Sequence, residues 1–139
     1  MILLIHTADI TNVYLGLIER GQIIAERKFK AQYQQAEKLL PEIDKLLLKK
    51  GIKLSNLKSF GVVAGPGPFT ALRIGIAAAN TLAWALGKPA FGVKLNEFTD
   101  EASLAKICEL RSKKAKVGAI IEPFYGREPN ITIKKEIKS

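Results

Sequence analysis

The stretch GPGPFTALRIGIAAANTLAWALGKP, residues 65–89, restricts the fold more than any other part of the sequence. Arg73 is its only charged residue apart from the lysine next to the final proline. Pro68 near the first turn, with Gly87 and Pro89 at the end, predicts a helix that begins beside Pro68 and stops at Gly87. Because apolar residues lie on every side of this helix, we expect it to be buried on every side. Its own sheet can cover one side, so the other side needs a second cover.

One line of apolar residues along this helix recurs at alternating spacings of three and four, the pattern of helices packed side by side. The first helix of the chain, predicted over residues 36–51, has a leucine-rich face that is expected to supply part of the cover. An uncovered apolar patch of ~400 Å² would forgo on the order of 10 kcal/mol, and patches of that size usually mark interaction sites. We therefore predict that a partner polypeptide covers the rest. The predicted interface comprises Leu40, Ile43 and Leu47 of the first helix with Phe69, Leu72, Arg73, Ile76, Ala79, Asn80 and Ala83 of the long one.

The remaining hydrophobic pattern predicts an α/β domain, a mixed sheet with helices in the order β-β-β-α-β-α-β-α. Glu19-Arg20-Gly21 marks a hairpin between the second and third strands. Pro41 is awkward in the first helix, because proline removes a hydrogen bond, so the helix either bends there or becomes regular from there. The predicted strands are residues 2–5, 13–18, 22–29, 59–64 and 90–93, a weaker third helix spans 96–110, and two further strands are placed at 117–121 and 130–133.

Length and composition bound the class of protein. At 139 residues the chain fits one domain with a small appendage. Cys108 is the only cysteine, so no internal disulfide can form, which favours a reducing, cytoplasmic setting. The opening MILLIH is too short for a signal peptide, and the charge of Arg73 argues against a membrane span. We expect a core helix instead.

The formal net charge is +9, which draws a protein toward polyanions in a salt-dependent way. The lysines are scattered along the sequence, and no aromatic residues interleave them as they would in a platform that stacks nucleic-acid bases. A solvated lysine-rich surface and direct binding of RNA are both open interpretations of this surplus.

The turn Gly65-Pro66-Gly67-Pro68 lies between a predicted strand and a helix, where phosphate-binding turns occur. Its prolines lack the N–H groups that would bind a phosphate, and no P-loop lysine follows. His6, the only histidine, has Cys108 and Asp9 as its only tempting companions. We therefore expect neither a metal site nor a catalytic triad around it.

With these features in view, GPGPFTALRIGIAAANTLAWALGKPAFGV resembles the hallmark of the TsaB (YeaZ) family, GPGSFTGLRIG followed by a helix rich in small residues. The opening ILLIHTADITNVYLGLIERGQIIAE is similar to the family's first hairpin, and AEKLLPEIDKLL resembles its first helix with its proline. Pro123, Tyr125 and Arg127 resemble the family's closing P-x-Y-x-R. The likeness extends from Met1 to about Ala105 and is looser beyond.

The resemblance implies an actin/Hsp70-like (ASKHA) lobe with a five-stranded mixed sheet. It also implies a non-catalytic subunit, without cofactor or metal, of the machinery that makes threonylcarbamoyladenosine on tRNA. In that family the subunit pairs through its first two helices with a TsaD-like paralogue, the carbamoyl transferase, or with itself. A TsaE-like ATPase joins them, and tRNA would be reached only through the complex.

Several departures from the family pattern bear on function. Family members usually carry a full second lobe, so we predict an N-terminal lobe at residues 1–110 followed by a short remnant of the second lobe at 111–139. His6 stands where nucleotide-binding relatives have an acidic residue, Pro68 replaces the motif's serine, and Ala71 replaces its glycine. The H-x-x-x-H pair of metal-binding relatives is missing from the first helix.

Two hypotheses follow for the function. In the first, the protein is a scaffold that docks a transferase paralogue, and the partner performs the chemistry. In the second, the chain is a residual ATP-binding or acyl-transfer enzyme lobe that uses Thr7, Gly65, Gly67 and Arg73.

Overall fold

The strands form one mixed sheet in a computed structural model that describes residues 1–9, 11–31 and 34–125. The sheet order is β3-β2-β1-β4-β5, in which β1, β2 and β3 are antiparallel neighbours and β4 and β5 run parallel to β1. The predicted α/β class and the predicted order of elements are confirmed. The elements are β1 (Ile2–His6), β2 (Asn12–Glu19), β3 (Gln22–Lys30), α1 (Gln35–Lys50), β4 (Ser59–Gly65), α2 (Phe69–Leu86), β5 (Ala90–Lys94) and α3 (Glu101–Lys114).

The predicted hairpin between β2 and β3 closes through a two-residue turn, Arg20-Gly21. Both residues have positive φ, 54° and 74°, as do the tight hairpin turns whose twist matches that of the flanking strands. β1 and β4 lie inside the sheet and are buried almost throughout. Their continuous apolar runs are typical of strands covered on both faces.

Helices cover both faces of this sheet. Neighbouring residues of a strand point to opposite faces. At the end of β1, Thr7 contacts α2, whereas His6 packs edge-to-face on Phe98, just before α3. α1 contacts α2, so these two helices form one layer, and α3 forms the other.

The three helices in the described part of the chain run antiparallel to the parallel strands. α2 starts after the carboxyl end of β4 and stops just before β5 begins. α3 returns so that the Ser112 hydroxyl lies 2.6 Å from that of Ser59, the first residue of β4. The C-termini of the helices thus lie where β1, β4 and β5 begin, the amino end of the sheet, and their N-termini lie at its carboxyl end.

The helix ends show which local signals were informative. Gly51 and Gly87 adopt left-handed φ of 66° and 67°, which confirms both predicted stops. α1 continues through Pro41, which lies on its exposed side. α3 begins later than predicted, because the Asp100 side chain accepts the Ser103 N–H and so sets the start of the helix. The helix also runs further than predicted, to Lys114.

α2 packs on the sheet along one face only, with 33% of its residues buried. Among the described residues it alone is long and apolar enough to cross a membrane, a test that the core helix of a soluble protein also passes. Here the helix lies against β4 and β1 along its buried face.

The strand predicted at 117–121 is wrong. Gly118 lies in a turn with φ of 95°, and residues 119–125 form no ladder. The free side of β5 is already occupied in part, since Arg111 Nη1 donates to the Gly92 carbonyl oxygen at 2.9 Å. The backbone of Ile121 pairs with the Asn80 side chain instead. The strand predicted at 130–133 lies outside the described residues.

Candidate functional site

The glycine turn at the carboxyl end of β4 is shaped by close backbone contacts. A Cβ atom on Gly65, whose φ is 121°, would lie 2.1 Å from the Phe124 carbonyl oxygen. A Cβ atom on Gly67 would lie 2.9 Å from the Cα of Ala8. The glycines therefore let the turn fit between the end of β1 and the segment that follows α3. The Gly65-Pro66 peptide is cis.

The residues of the enzyme hypothesis do not converge on a shared space. The Thr7 hydroxyl is fully buried and donates to the Ala71 carbonyl oxygen at 2.6 Å. Arg73 points to the surface, with its guanidinium carbon 4.8 Å from the centre of the Phe69 ring. The space beside Gly65 is filled by the backbone of Phe124. The enzyme hypothesis assigned these residues to one site, but in the fold each of them contacts a different group.

His6 borders a cavity of about 340 Å³ between the β-hairpin and the start of α3. Its Nδ1 accepts the Ala8 N–H at 3.2 Å. Burial lowers the pKa of this imidazole, and the nearby carboxylate of Asp9 offsets the shift only in part. The ring is therefore neutral at pH 7, which leaves Nε2 carrying the proton.

Asp9 is directed at the backbone rather than at a ligand. Its Oδ1 accepts the N–H groups of Asn12 and Thr11, and these hydrogen bonds lower its pKa. Within residues 1–9, 11–31 and 34–125 no group of three or more His, Cys, Asp or Glu could hold a metal ion. Burial raises the pKa of Cys108 to about 12, so this thiol stays protonated at neutral pH.

The predicted partner interface needs correction, because the fold turns most of it inward. The apolar seam of α2 packs on the chain's own sheet, and the leucine-rich face of α1 packs beside it. The buried members of the predicted interface are Ile43, Leu47, Leu72, Ile76, Ala79 and Ala83. A helix that is apolar all round gives no periodic sign of which side its own sheet will take.

Three predicted interface residues lie on the exposed side. Leu40 and Phe69 are each 55% exposed, and Arg73 is exposed beside Phe69. The most exposed large apolar residues of this layer, Trp84 at 81% and Leu48 at 78%, were missed. Arg73 was the signal that could have found Trp84, since positions eleven apart on a helix share a face.

Asn80 has a different role from the predicted one. Its Nδ2 donates to the Ile121 carbonyl oxygen at 3.0 Å, and its Oδ1 accepts the Ile121 N–H at 2.9 Å. The same segment continues across the carboxyl end of the sheet, where the Phe124 N–H donates to the Ala64 carbonyl oxygen at 2.7 Å. Tyr125 then stacks on Phe69, with ring centres 5.4 Å apart. Of the family-like closing motif, Arg127 lies outside the described residues.

The mixed five-stranded sheet with two helices on one face and one on the other defines an actin/Hsp70-like (ASKHA) lobe. The family model of TsaD, tRNA N6-adenosine threonylcarbamoyltransferase, matches residues 23–105, and the chain belongs to this family. The predicted TsaB (YeaZ) resemblance is confirmed by solved structures. YeaZ from Pseudomonas aeruginosa superimposes with a TM-score of 0.61 and 29% identity, covering 67% of this chain and 43% of that one.

Two curated relatives are similar to part of the chain. The chain is 35% identical over 92 residues to the tRNA N6-adenosine threonylcarbamoyltransferase of Moorella thermoacetica, covering 62% of this chain and 27% of that protein. It is 35% identical over 83 residues to an uncharacterized protein of Mycobacterium tuberculosis, covering 58% of this chain and 39% of that protein. The chain therefore spans less than half the length of these relatives, and its division at residue 110 stays a prediction.

Proposed function

We propose that this chain is a TsaB-like scaffold subunit in the modification of tRNA to threonylcarbamoyladenosine. It docks a TsaD-like transferase, or a second copy of itself, and a TsaE-like ATPase joins the complex. The family match and the likeness to YeaZ support the pathway. The observation that carries the docking role is the exposed apolar surface of one helical layer. We call this surface the outer face; it comprises Leu40 and Leu48 of α1 with Phe69 and Trp84 of α2.

The energetic argument rests on the size of these side chains. Fully burying a leucine or phenylalanine side chain contributes about 1.5–3 kcal/mol. Single exposed apolar residues are ordinary on soluble proteins, but the outer face places several on two helices of the same layer. Tryptophan is enriched among the residues that dominate protein interfaces. Trp84 is the side chain we expect to contribute most.

The carboxyl end of the sheet supports a non-catalytic role. The Thr7 hydroxyl is committed to Ala71, the Asp9 carboxylate to backbone N–H groups, and the imidazole of His6 is neutral. A neutral imidazole cannot take the place of a carboxylate in the water network around Mg²⁺. In this proposal the transferase supplies the reacting groups.

The test is co-purification of the full chain with a TsaD-like protein of the same cell, followed by a binding titration. Leu48→Glu introduces a charge into the outer face, and we expect it to weaken the complex at least about tenfold, because a buried unpaired charge is costly. Leu110→Glu is the matched control, since Leu110 is 62% exposed but lies on α3, in the other layer. Equal affinity of both variants and the unchanged protein, or no complex at all in either partner arrangement, would refute the docking role.

A further inference from the structure

The fold gathers the scattered lysines at the amino end of the sheet. The last turns of α1 and α3 carry Lys49 and Lys50 and Lys113 and Lys114 respectively. Turns at the same end add further cations. We call this surface the basic end; it comprises Arg20, Lys49, Lys50, Lys53, Lys58, Lys88, Lys113, Lys114 and Lys116.

Hydrogen bonds show that the turns belong to this end. The Lys58 N–H donates to the Met1 carbonyl oxygen at 2.8 Å, beside the start of β1. Lys88 Nζ donates to the Leu57 carbonyl oxygen at 2.6 Å. The hairpin turn joins through the Gly21 N–H, which donates to Glu109 of α3 at 3.2 Å.

Acidic side chains neutralise little of this surface. Glu19 borders the hairpin turn at this end, and Glu109 pairs with Lys58 at 3.5 Å. Lys49, Lys50, Lys113 and Lys114 are exposed, and none of the ion pairs in the described part of the chain includes them.

The carboxyl end is balanced by comparison. There Lys28 pairs with Glu101 and Arg111 with Glu97, and Asp9 and Asp100 add negative charge. Much of the chain's surplus of +9 therefore lies at one end of the molecule. Lysines in a last turn also stabilise the helix dipole, but that does not account for the cations in the turns, such as Arg20 and Lys53.

We propose that the basic end binds the phosphate backbone of folded RNA. That this RNA is tRNA rests on the proposed function. Five strands spaced by ~4.8 Å make the sheet on the order of 20 Å wide, so the surface fits a run of phosphates rather than one small anion. Among the described residues, the exposed aromatic ring near it is the single indole of Trp84, which does not make the series of rings on which successive bases stack. Backbone contacts of this kind position RNA and carry little sequence information.

An anionic membrane is the other polyanion of this breadth. Binding in a membrane interface requires apolar side chains that enter the lipid together with the lysines. The exposed Leu48 and Trp84 lie near this end, but they project from the sides of α1 and α2. The match to the family of a tRNA-modifying transferase favours RNA as the polyanion, and the vesicle titration below tests the membrane.

The test measures binding of a fluorescent tRNA transcript to the full 139-residue chain by anisotropy, over a series of salt concentrations. The basic-end variant is K50Q/K113Q/K114Q. The matched control is K30Q/K38Q/K94Q, whose lysines lie at the carboxyl end of the sheet. For the unchanged chain and the control we expect log K to fall steeply with log salt. For the basic-end variant we expect weaker binding and a slope smaller by about one for each phosphate that no longer pairs with a lysine.

Three results would overturn the inference: a flat salt response, an equal loss of affinity in the control, or tighter binding to phosphatidylcholine–phosphatidylserine vesicles than to tRNA. Circular dichroism melting verifies that each variant is folded. The same variants are also titrated with the TsaD-like partner. A normal partner complex without RNA binding removes this inference alone, whereas RNA binding without a partner complex removes the scaffold role alone.

Discussion

The two helical layers that cover the sheet are built from different chemistry. In the layer of α1 and α2, apolar side chains such as Leu72 face the sheet and others such as Trp84 face outward. The layer of α3 is fastened by polar contacts, including the Ser59–Ser112 hydrogen bond and the Arg111–Glu97 ion pair. Among the described residues of α3, Leu110 is the one large apolar side chain left exposed, whereas the other layer exposes the four of the outer face. Under the proposed docking role, the α1/α2 layer is the side expected to face a partner.

The largest expected change in unfolding free energy distinguishes the inner side of α2 from its outer side. Leu72 is fully buried, so Leu72→Ala should lower the free energy of unfolding by about 2–5 kcal/mol, through reduced burial and a cavity. Trp84→Ala should change it by no more than about 0.5 kcal/mol, because the ring is exposed. Urea unfolding of the full chain measures both. Similar costs for the two variants would mean that α2 does not have two distinct faces.

The next largest change in unfolding free energy is expected at the close contact between α2 and the end of β1. A Cβ atom on Gly75 would lie 2.4 Å from Thr7 Oγ1. Gly75→Ala should therefore cost about 1–2 kcal/mol of unfolding free energy, even though alanine is the better helix former.

A double-mutant cycle identifies the cause of that cost. Thr7→Ala removes the colliding hydroxyl together with its hydrogen bond to Ala71. The combined variant, Gly75→Ala with Thr7→Ala, should then be more stable than the sum of the two single effects predicts. Simple additivity would show that the contact with Thr7 does not limit residue 75.

The ion pair between Arg111 of α3 and Glu97 should respond to pH, whereas the apolar contact of Leu72 should not. The Arg111 guanidinium lowers the pKa of Glu97 from 4.5 to about 2. Because the unfolded chain binds the proton more readily, the stabilisation is complete above about pH 5 and is lost as the pH falls toward 2. Glu97→Gln should cost about 1–2 kcal/mol at pH 7, allowing for partial solvent screening, and almost nothing near pH 2. Glu122→Gln, at an exposed carboxylate, is the control.

Unfolding free energies measured from pH 7 to pH 2 give the comparison between the layers. The difference between Leu72→Ala and the unchanged chain should stay constant over this range, because no titrating group is removed. If the cost of Glu97→Gln were equally constant, the ion pair would not be what fastens α3.

Much of the fold could be predicted because its signals are local. Alternation and apolar runs placed the first five strands, and Gly51 and Gly87 fixed two helix ends through a backbone conformation that glycine adopts readily. The start of α3 was placed too early because the prediction did not use its cap, Asp100, which accepts the Ser103 N–H and sets the start at Glu101. The strand predicted at 117–121 failed because its place beside β5 depends on Arg111, a contact between distant parts of the chain.

The candidate site was less predictable, for two reasons. Spacing along α2 revealed an apolar seam, but the same pattern describes a side that faces the chain's own sheet and one that faces a partner. The position of Arg73 distinguishes them, because a charged residue marks the exposed side. The basic end was hidden because its lysines come from three helix ends and several turns, which only the topology brings together.

The smallest expected effect tests whether the outer polar contacts of the α3 layer behave as surface electrostatics. Lys58 and Glu109 are 3.5 Å apart, with the lysine side chain 51% exposed. Lys58→Gln should lower the unfolding free energy by no more than about 0.2–1 kcal/mol at low salt, and the loss should vanish near 1 M salt, where charges are screened within ~3 Å. Lys53→Gln, which breaks no ion pair, is the control. A loss that persists at high salt would place this contact among the buried interactions of α3, and the contrast between the layers would then rest on Arg111 and Ser112 alone.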